Sequence, residues 1–232
     1  MPFYYNSIYW MVLIPVVILS VYAQIKVSSS FNRYSQDRNR RGITGAEAAY
    51  QVLLAHGITD VAIRPCRGKL TDHYDPRDNT IYLSEGVYNS PTVAAVGVAA
   101  HEAGHAVQYA VGYGPVRVRQ AVIPISQFGS QFAFVALALG LILYAQPIFA
   151  LGIVLFGLAT LFQLVTLPVE FDASARALAT IDGSALLDGD ERAGAKKVLT
   201  AAALTYVAAL LMSLVQLLRY LLIFAARDRR RE

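Results

Sequence analysis

Four long apolar stretches limit what this chain can fold into. Residues 3–25 carry no charge, residues 121–144 and 147–167 follow each other almost directly, and residues 199–224 contain a single charge, Arg219. A helix rises about 1.5 Å per residue, so each stretch is long enough to cross a hydrocarbon core of about 30 Å. The sequence therefore predicts a mainly α-helical membrane protein with about four transmembrane helices.

These stretches also divide the chain into segments. The apolar segments are predicted to be an N-terminal transmembrane helix (1–25), a transmembrane hairpin (121–167) and a C-terminal transmembrane helix (199–226). The polar segments are predicted to be a small α+β domain (26–119), a helix with a loop (168–198) and a basic tail (227–232). A cleaved signal peptide is the alternative for the first segment, but it lacks the basic stretch that such peptides begin with.

Local signals predict the elements of the α+β domain. Thr44 and Glu47 form a capping-box pair, which predicts a helix that stops at Gly57. The stretches "DVAIRP" and "NTIYLS" have the composition of strands. Ser90 and Pro91 resemble an N-cap and a first-turn proline, so a helix is expected over about 91–111.

Composition agrees with a membrane protein and excludes some other classes. Hydrophobic residues make up 56 % of the chain and charged residues 16 %, which is more apolar than an ordinary soluble domain. The single cysteine, Cys66, rules out an intramolecular disulfide and a four-cysteine zinc site. Because of the apolar stretches, we expect a lipid bilayer as a partner. Lys and Arg residues are dispersed, so we expect no nucleic acid as a partner.

The stretch "AAHEAGHAVQ" (99–108) lies on the predicted 91–111 helix and has the spacing of a catalytic zinc site. His101 and His105 are four residues apart, so they project from one face and can share one metal ion. Glu102 is rotated by about 100° from His101 and can reach a water on the metal without binding the metal itself. Zinc lowers the pKa of such a water towards about 7, and Glu102 can pass its proton to a leaving amine. We therefore expect one zinc ion per chain.

A catalytic zinc ion needs a third protein ligand. Glu170 is the preferred residue, and Asp172 is the rival, which we otherwise expect to orient a histidine. Alternatively, Glu170 only interacts with the positive end of a helix that Pro168 introduces. The predicted hairpin crosses the membrane twice between His105 and Glu170, so both residues return to the same side.

The stretch "DHYDPRD" is the other unusual feature of the polar segment. In zincins, the strand before the metal helix commonly pairs with an extended substrate, and "NTIYLS" is the strand expected to do so. His73 and Tyr74 would then reach the cleft and stabilise a developing oxyanion. The equally weighted alternative for His73 is that Asp75 and Pro76 make the whole stretch a turn.

Three blocks of the sequence together resemble the YugP-type membrane zinc metallopeptidases of bacteria: "LTDHYDPRDNTIYLS" (70–84), "VAAHEAGHAVQ" (98–108) and "LPVEFDASARA" (167–177). More distantly, their layout is similar to that of HtpX-like membrane peptidases. This resemblance implies His101, His105 and Glu170 as zinc ligands and Glu102 as catalytic base. Ser174 stands where the HtpX-like pattern has an aspartate, which leaves Asp172 as the alternative for that supporting role.

The resulting functional prediction is a membrane zinc endopeptidase acting on peptides or membrane proteins. Two alternatives remain open, namely a non-catalytic membrane-anchored zinc-binding scaffold and an intramembrane protease of the site-two type. A transporter is disfavoured because the apolar stretches contain almost no ionisable residues. Lys and Arg residues flank the membrane segments on the catalytic side, which predicts that this side is cytoplasmic in the bacterial inner membrane.

Overall fold

The computed structural model describes the backbone of residues 2–228 and the side chains of residues 9–227. Within this part of the chain there are seven helices and three strands. In chain order they are α1 (Pro2–Tyr34), α2 (Gly45–Ala55), β1 (Ala62–Cys66), β2 (His73–Asp75), β3 (Thr80–Ser84), α3 (Glu85–Tyr88), α4 (Val93–Ala110), α5 (Gly114–Ile142), α6 (Gln146–Gly183) and α7 (Gly189–Asp228). Of the predicted basic tail, residues 229–232 lie outside the described residues.

The chain divides into two compact units. The helical unit comprises Met1–Tyr22, Arg117–Leu167 and Thr205–Glu232. The mixed unit comprises Ala23–Val116 and Pro168–Leu204 and contains the sheet. The predicted fold class, mainly α with a small α+β part, is therefore confirmed.

Four of the described helices are long and apolar enough to cross a membrane. They are α1, α5, α6 and α7, as the apolar stretches predict. The helix α4 is not among them, although Ala, Val and Gly dominate its sequence. Length and composition therefore distinguish the helix with the two histidines from the four candidate spans.

The sheet of the mixed unit has the order β1-β3-β2, with β3 parallel to β1 and antiparallel to β2. The strands predicted from "DVAIRP" and "NTIYLS" correspond to β1 and β3, but the prediction that β3 is the substrate-pairing edge is wrong. Because β3 is paired on both sides, it lies in the centre, and Ile81 and Leu83 are fully buried. The edge strand towards α4 is β2.

Local capping signals set the start of two helices in the mixed unit. The capping box of Thr44 and Glu47 begins α2 as predicted. The predicted N-cap at Ser90 is wrong, because α4 begins at Val93 and Thr92 accepts a hydrogen bond from the Ala95 N–H at 3.3 Å. The backbone of Thr92 itself is extended and pairs with Arg38, which delays the first helical turn.

The expectation that Pro168 starts a new helix is also wrong, because α6 continues through it to Gly183. A proline within a helix removes one N–H donor without necessarily ending the helix, and membrane helices tolerate this well. Glu170 therefore lies inside a 38-residue helix, more than three turns from either end. Its backbone position is fixed by helical turns on both sides.

In the helical unit, α5 and α6 form an antiparallel hairpin joined by residues 143–145. Glycines allow the two backbones to approach closely. A Cβ added at Gly140 would lie 2.5 Å from Phe149 Cα, and one added at Gly152 would lie 2.7 Å from Leu137 N. Small residues at such crossings favour helix association in membranes through close packing.

Two arginines of α7 are satisfied within the helical unit. Arg227 donates to the carbonyl oxygens of Gly140 and Leu141 at 3.1 and 3.2 Å, where α5 ends and its carbonyls lack helical partners. Arg219 donates to the Tyr9 hydroxyl at 3.2 Å and stacks over its ring at 4.5 Å. These contacts offset the cost of a cation on an apolar helix.

We predict that Gly140→Ala destabilises the hairpin by about 1–3 kcal/mol, because the new methyl group would overlap the Phe149 backbone. The measurement is the apparent melting temperature of the purified protein in detergent. Gly157→Ala in α6 is the matched control, since no atom lies within 4 Å of its added Cβ. Equal melting temperatures for the two variants would contradict the packing described for Gly140.

Candidate metal centre

Two histidines of α4 project from the same face of the helix. His101 and His105 are one helical turn apart, and their ring centroids are 4.7 Å from each other. Both rings are largely shielded, with side-chain exposures of 15 % and 11 %. Helical periodicity, as read from the sequence, therefore accounts for their pairing.

Glu170 of α6 completes a cluster with these histidines. Its Oε2 atom lies 3.2 Å from His101 Nε2 and 3.5 Å from His105 Nε2. One possible ligand atom from each of the three residues lies within 4.8 Å of the other two. In the described part of the chain this is the one such group of three, and all its members belong to the mixed unit.

The chemistry of this cluster fits a zinc ion. Two imidazole nitrogens and one carboxylate oxygen are the donor set of a well-known class of catalytic zinc sites, which leave a fourth position open. Both Nε2 atoms face the Glu170 carboxylate, because each Nδ1 atom is engaged by another residue. Such partners on the second ring nitrogen are the usual companions of metal-binding histidines.

Ser174 and Gln108 are these partners. His101 Nδ1 lies 3.1 Å from Ser174 Oγ, and His105 Nδ1 lies 3.1 Å from Gln108 Oε1. Sequence reasoning named Ser174 but missed Gln108. The available signal was its spacing, because a polar residue three positions after His105 lies on the same face of an otherwise apolar helix.

Asp172 does not contact a histidine directly. Its Oδ2 atom accepts hydrogen bonds from Gln108 Nε2 at 2.8 Å and from Arg176 Nε at 2.6 Å. It is also absent from the group of possible metal ligands. Asp172 is therefore connected to His105 only through Gln108, whereas the sequence predicted that it orients a histidine directly.

Glu102 lies next to His101 on α4 and outside the ligand cluster. Its Oε2 atom accepts a hydrogen bond from the backbone N–H of Tyr74 at 3.1 Å. This contact connects the edge strand β2 to the acid of the HEAGH motif. This hydrogen bond fixes one carboxylate oxygen of Glu102, and the other oxygen takes no part in it.

The structure separates the two residues predicted from "DHYDPRD". The Tyr74 side chain donates to Asn79 Oδ1 at 2.7 Å and packs against Tyr109 of α4. Side chains alternate between the two faces of a strand, and that of His73 lies on the exposed side of β2. There its ring stacks on Tyr82, and its Nδ1 atom lies 2.8 Å from the Thr71 carbonyl oxygen. The structure thus brings the backbone of Tyr74 to Glu102 and does not bring His73 to the cluster.

The pKa values of His105 and Tyr74 are both raised, but for different reasons. Burial disfavours the charged form of His105, but the hydrogen bonds to Glu170 and Gln108 and the charges of Glu102 and Glu170 together outweigh it and raise the pKa of His105. A metal ion at the cluster would compete with a proton for this ring. Burial raises the pKa of Tyr74 to about 12, so its phenol remains a neutral hydrogen-bond donor.

Gly104 lets α4 and α6 cross closely at the cluster. A Cβ at this position would lie 2.5 Å from the Ala173 carbonyl oxygen and 3.2 Å from Ala173 Cα. These are backbone atoms of α6, so the clash could be relieved only if the helices moved apart. The glycine of the HEAGH motif therefore makes room for the second helix.

We predict that Gly104→Ala lowers the zinc content of the purified protein, because separating the helices moves Glu170 away from His101 and His105. Zinc per chain is measured by elemental analysis. Gly86→Ala, where the added Cβ meets no atom within 4 Å, serves as the control. Undiminished zinc binding by Gly104→Ala would show that the close crossing is not needed.

Comparison with known proteins agrees with this geometry. A family model described as "Putative neutral zinc metallopeptidase" matches residues 9–225. The "Putative membrane protease YugP" of Bacillus subtilis (strain 168) is 46% identical over 206 residues, which cover 89% of this chain and 92% of that protein. No solved structure matches the chain. The resemblance noted in the sequence is thus confirmed over most of its length, and the chain belongs to the family of neutral zinc metallopeptidases of the membrane.

Proposed function

We propose that this protein is an integral-membrane zinc endopeptidase with a His-His-Glu metal site of the gluzincin type. The observation that carries the proposal is the cluster of His101, His105 and Glu170, with the free acid Glu102 beside it. The name of the Bacillus subtilis relative, a membrane protease, supports the same reaction class. Bound zinc would supply Lewis-acid polarisation of a peptide carbonyl and a lowered pKa for a water molecule.

Glu102 has the features of a general base in this scheme. It follows His101 directly, so its side chain leaves the helix in a different direction from the two ligands. The Tyr74 N–H donates to one of its oxygens, which orients the carboxylate. Glu102 would accept a proton from the attacking water and deliver it to the leaving amine.

The edge strand β2 is proposed as the surface that aligns the substrate. The Tyr74 N–H points to Glu102 and away from β3, so the backbone of Tyr74 lies on the open edge of the sheet. An extended peptide can add to such an edge through the main-chain groups that Glu102 leaves available. This would place the peptide close to the carboxylate that handles the proton, whether the substrate is a peptide or a segment of a membrane protein.

The alternatives explain the same residues less well. A scaffold that binds zinc without catalysis has no use for Glu102, which is not a ligand and is nevertheless oriented by β2. A protease of the site-two type carries its HExxH motif on a membrane-spanning helix. Among the described helices, α4 does not qualify as a span, so we favour a site outside the hydrocarbon core.

We predict that Glu102→Gln lowers proteolysis by about 10²- to 10⁴-fold while zinc binding is retained, because the amide cannot accept the proton. The assay follows cleavage of an unfolded membrane protein by purified enzyme, with zinc per chain measured on the same sample. Glu85→Gln, an exposed carboxylate at the start of α3, is the control and should cleave normally. Full activity in Glu102→Gln would refute the assigned base.

The membrane orientation is a second part of the proposal. Lys and Arg residues that flank the membrane segments favour a bacterial inner-membrane protein with its catalytic side in the cytoplasm. If α7 also crosses completely, the C-terminus lies outside the cytoplasm.

We predict that alkaline phosphatase fused to the C-terminus is active and that the same fusion after residue 90 is inactive. The reverse pattern would place the metal centre outside.

A further inference from the structure

We propose that Gln108 is a positioning residue that fixes the ring of His105 with its Nε2 atom towards the metal position. The inference rests on the proposed function only in assuming that the cluster binds zinc. Gln108 is fully buried and lies outside the HEAGH motif. A buried amide must have its donors and its acceptor satisfied, so its partners determine which way it faces.

Both sides of the Gln108 amide have partners. Its Nε2 atom lies 2.7 Å from the Val169 carbonyl oxygen and 2.8 Å from Asp172 Oδ2. Its Oε1 atom lies 3.1 Å from His105 Nδ1. The two N–H groups and the carbonyl oxygen are therefore each used once.

These partners allow only one orientation of the amide. A backbone carbonyl oxygen can only accept a hydrogen bond, and Asp172 Oδ2 already accepts one from Arg176, so both atoms must face the amide nitrogen. The oxygen of Gln108 is then left facing His105. If the amide were reversed, an oxygen would face two acceptors in a buried site, which is strongly unfavourable.

The orientation of the amide in turn decides the state of the histidine. An amide oxygen accepts but cannot donate, so His105 Nδ1 must carry the hydrogen. The neutral ring then has its lone pair on Nε2, the atom that faces Glu170. His101 is not constrained in this way, because the Ser174 hydroxyl can either donate or accept.

Gln108 also connects the two helices that carry the ligands. It belongs to α4, whereas Val169 and Asp172 flank Glu170 on α6. Arg176 donates to the same Asp172 oxygen at 2.6 Å, which fixes the position of that carboxylate. The orientation of His105 is thus set by a chain of contacts from Arg176 through Asp172 to Gln108.

The test compares substitutions that differ in the atom presented to His105. Gln108→Leu and Gln108→Met remove the amide, whereas Gln108→Glu keeps an oxygen that accepts from Nδ1 even if its other oxygen is protonated towards Asp172. Zinc affinity of the full-length protein in detergent is measured by competition with a chelating indicator. Gln51→Leu, on an exposed position of α2, is the control and should bind zinc as the wild type does.

We expect the two apolar variants to bind zinc about 10- to 100-fold more weakly than wild type and Gln108→Glu to be affected less. If Gln108 only joins the helices, Gln108→Glu should be at least as damaging, because it loses the Val169 contact and adds a carboxyl group beside Asp172. Equal or weaker zinc binding by Gln108→Glu than by the apolar variants would therefore overturn the proposal. Wild-type zinc affinity in Gln108→Leu would also overturn the proposal. If Gln108→Leu does not fold, Gln108→Met takes its place in the comparison.

A spectroscopic measurement checks the same point without activity. In zinc-loaded protein labelled with ¹⁵N-histidine, the Nδ1–H signal of His105 should be protected from exchange in wild type and Gln108→Glu, and unprotected in the apolar variants. An unprotected signal in wild type would contradict the assigned hydrogen bond. A protein that cleaves no peptide but keeps this order of affinities would refute the proposed function and leave the role of Gln108 intact.

Discussion

The close crossing of α4 and α6 at Gly104 is the constraint on which the metal centre depends. The backbone carbonyl of Ala173 occupies the space where any other residue would have its Cβ. At this separation a side chain as short as Ser174 reaches His101, and the Glu170 carboxylate reaches both Nε2 atoms. A wider crossing would break these contacts together, because all of them are made between the same two helices.

Much of this site can be predicted from the sequence because its signals are local. The spacing of His101 and His105 places both rings on one helix face, whatever the rest of the fold. Likewise, the capping box at Thr44 and the length of the apolar stretches do not depend on distant contacts. The proximity of Glu170 to the two histidines is a longer extrapolation, which rests on a hairpin of two spans returning the chain to the side from which it left.

The features that were missed depend on contacts between distant segments. Periodicity identified the strand β3 but not its neighbours, so its central position could not be foreseen. Pairing with the segment around Arg38 moved the start of α4 from Ser90 to Thr92. Gln108 had the right spacing to be noticed, but its partners Val169 and Asp172 lie on another helix. Its importance therefore appears only once the two helices are seen together.

Zinc stoichiometry in two neighbouring variants tests the central claim most directly. Glu170 and Asp172 are both acids of the same stretch of α6, but only Glu170 lies within ligand distance of the two histidines. At saturating zinc, the account predicts about one zinc ion per chain in the wild type and in Asp172→Asn, whose amide oxygen can still accept from Gln108, and little or none in Glu170→Gln. Zinc retained by Glu170→Gln and lost by Asp172→Asn would contradict it.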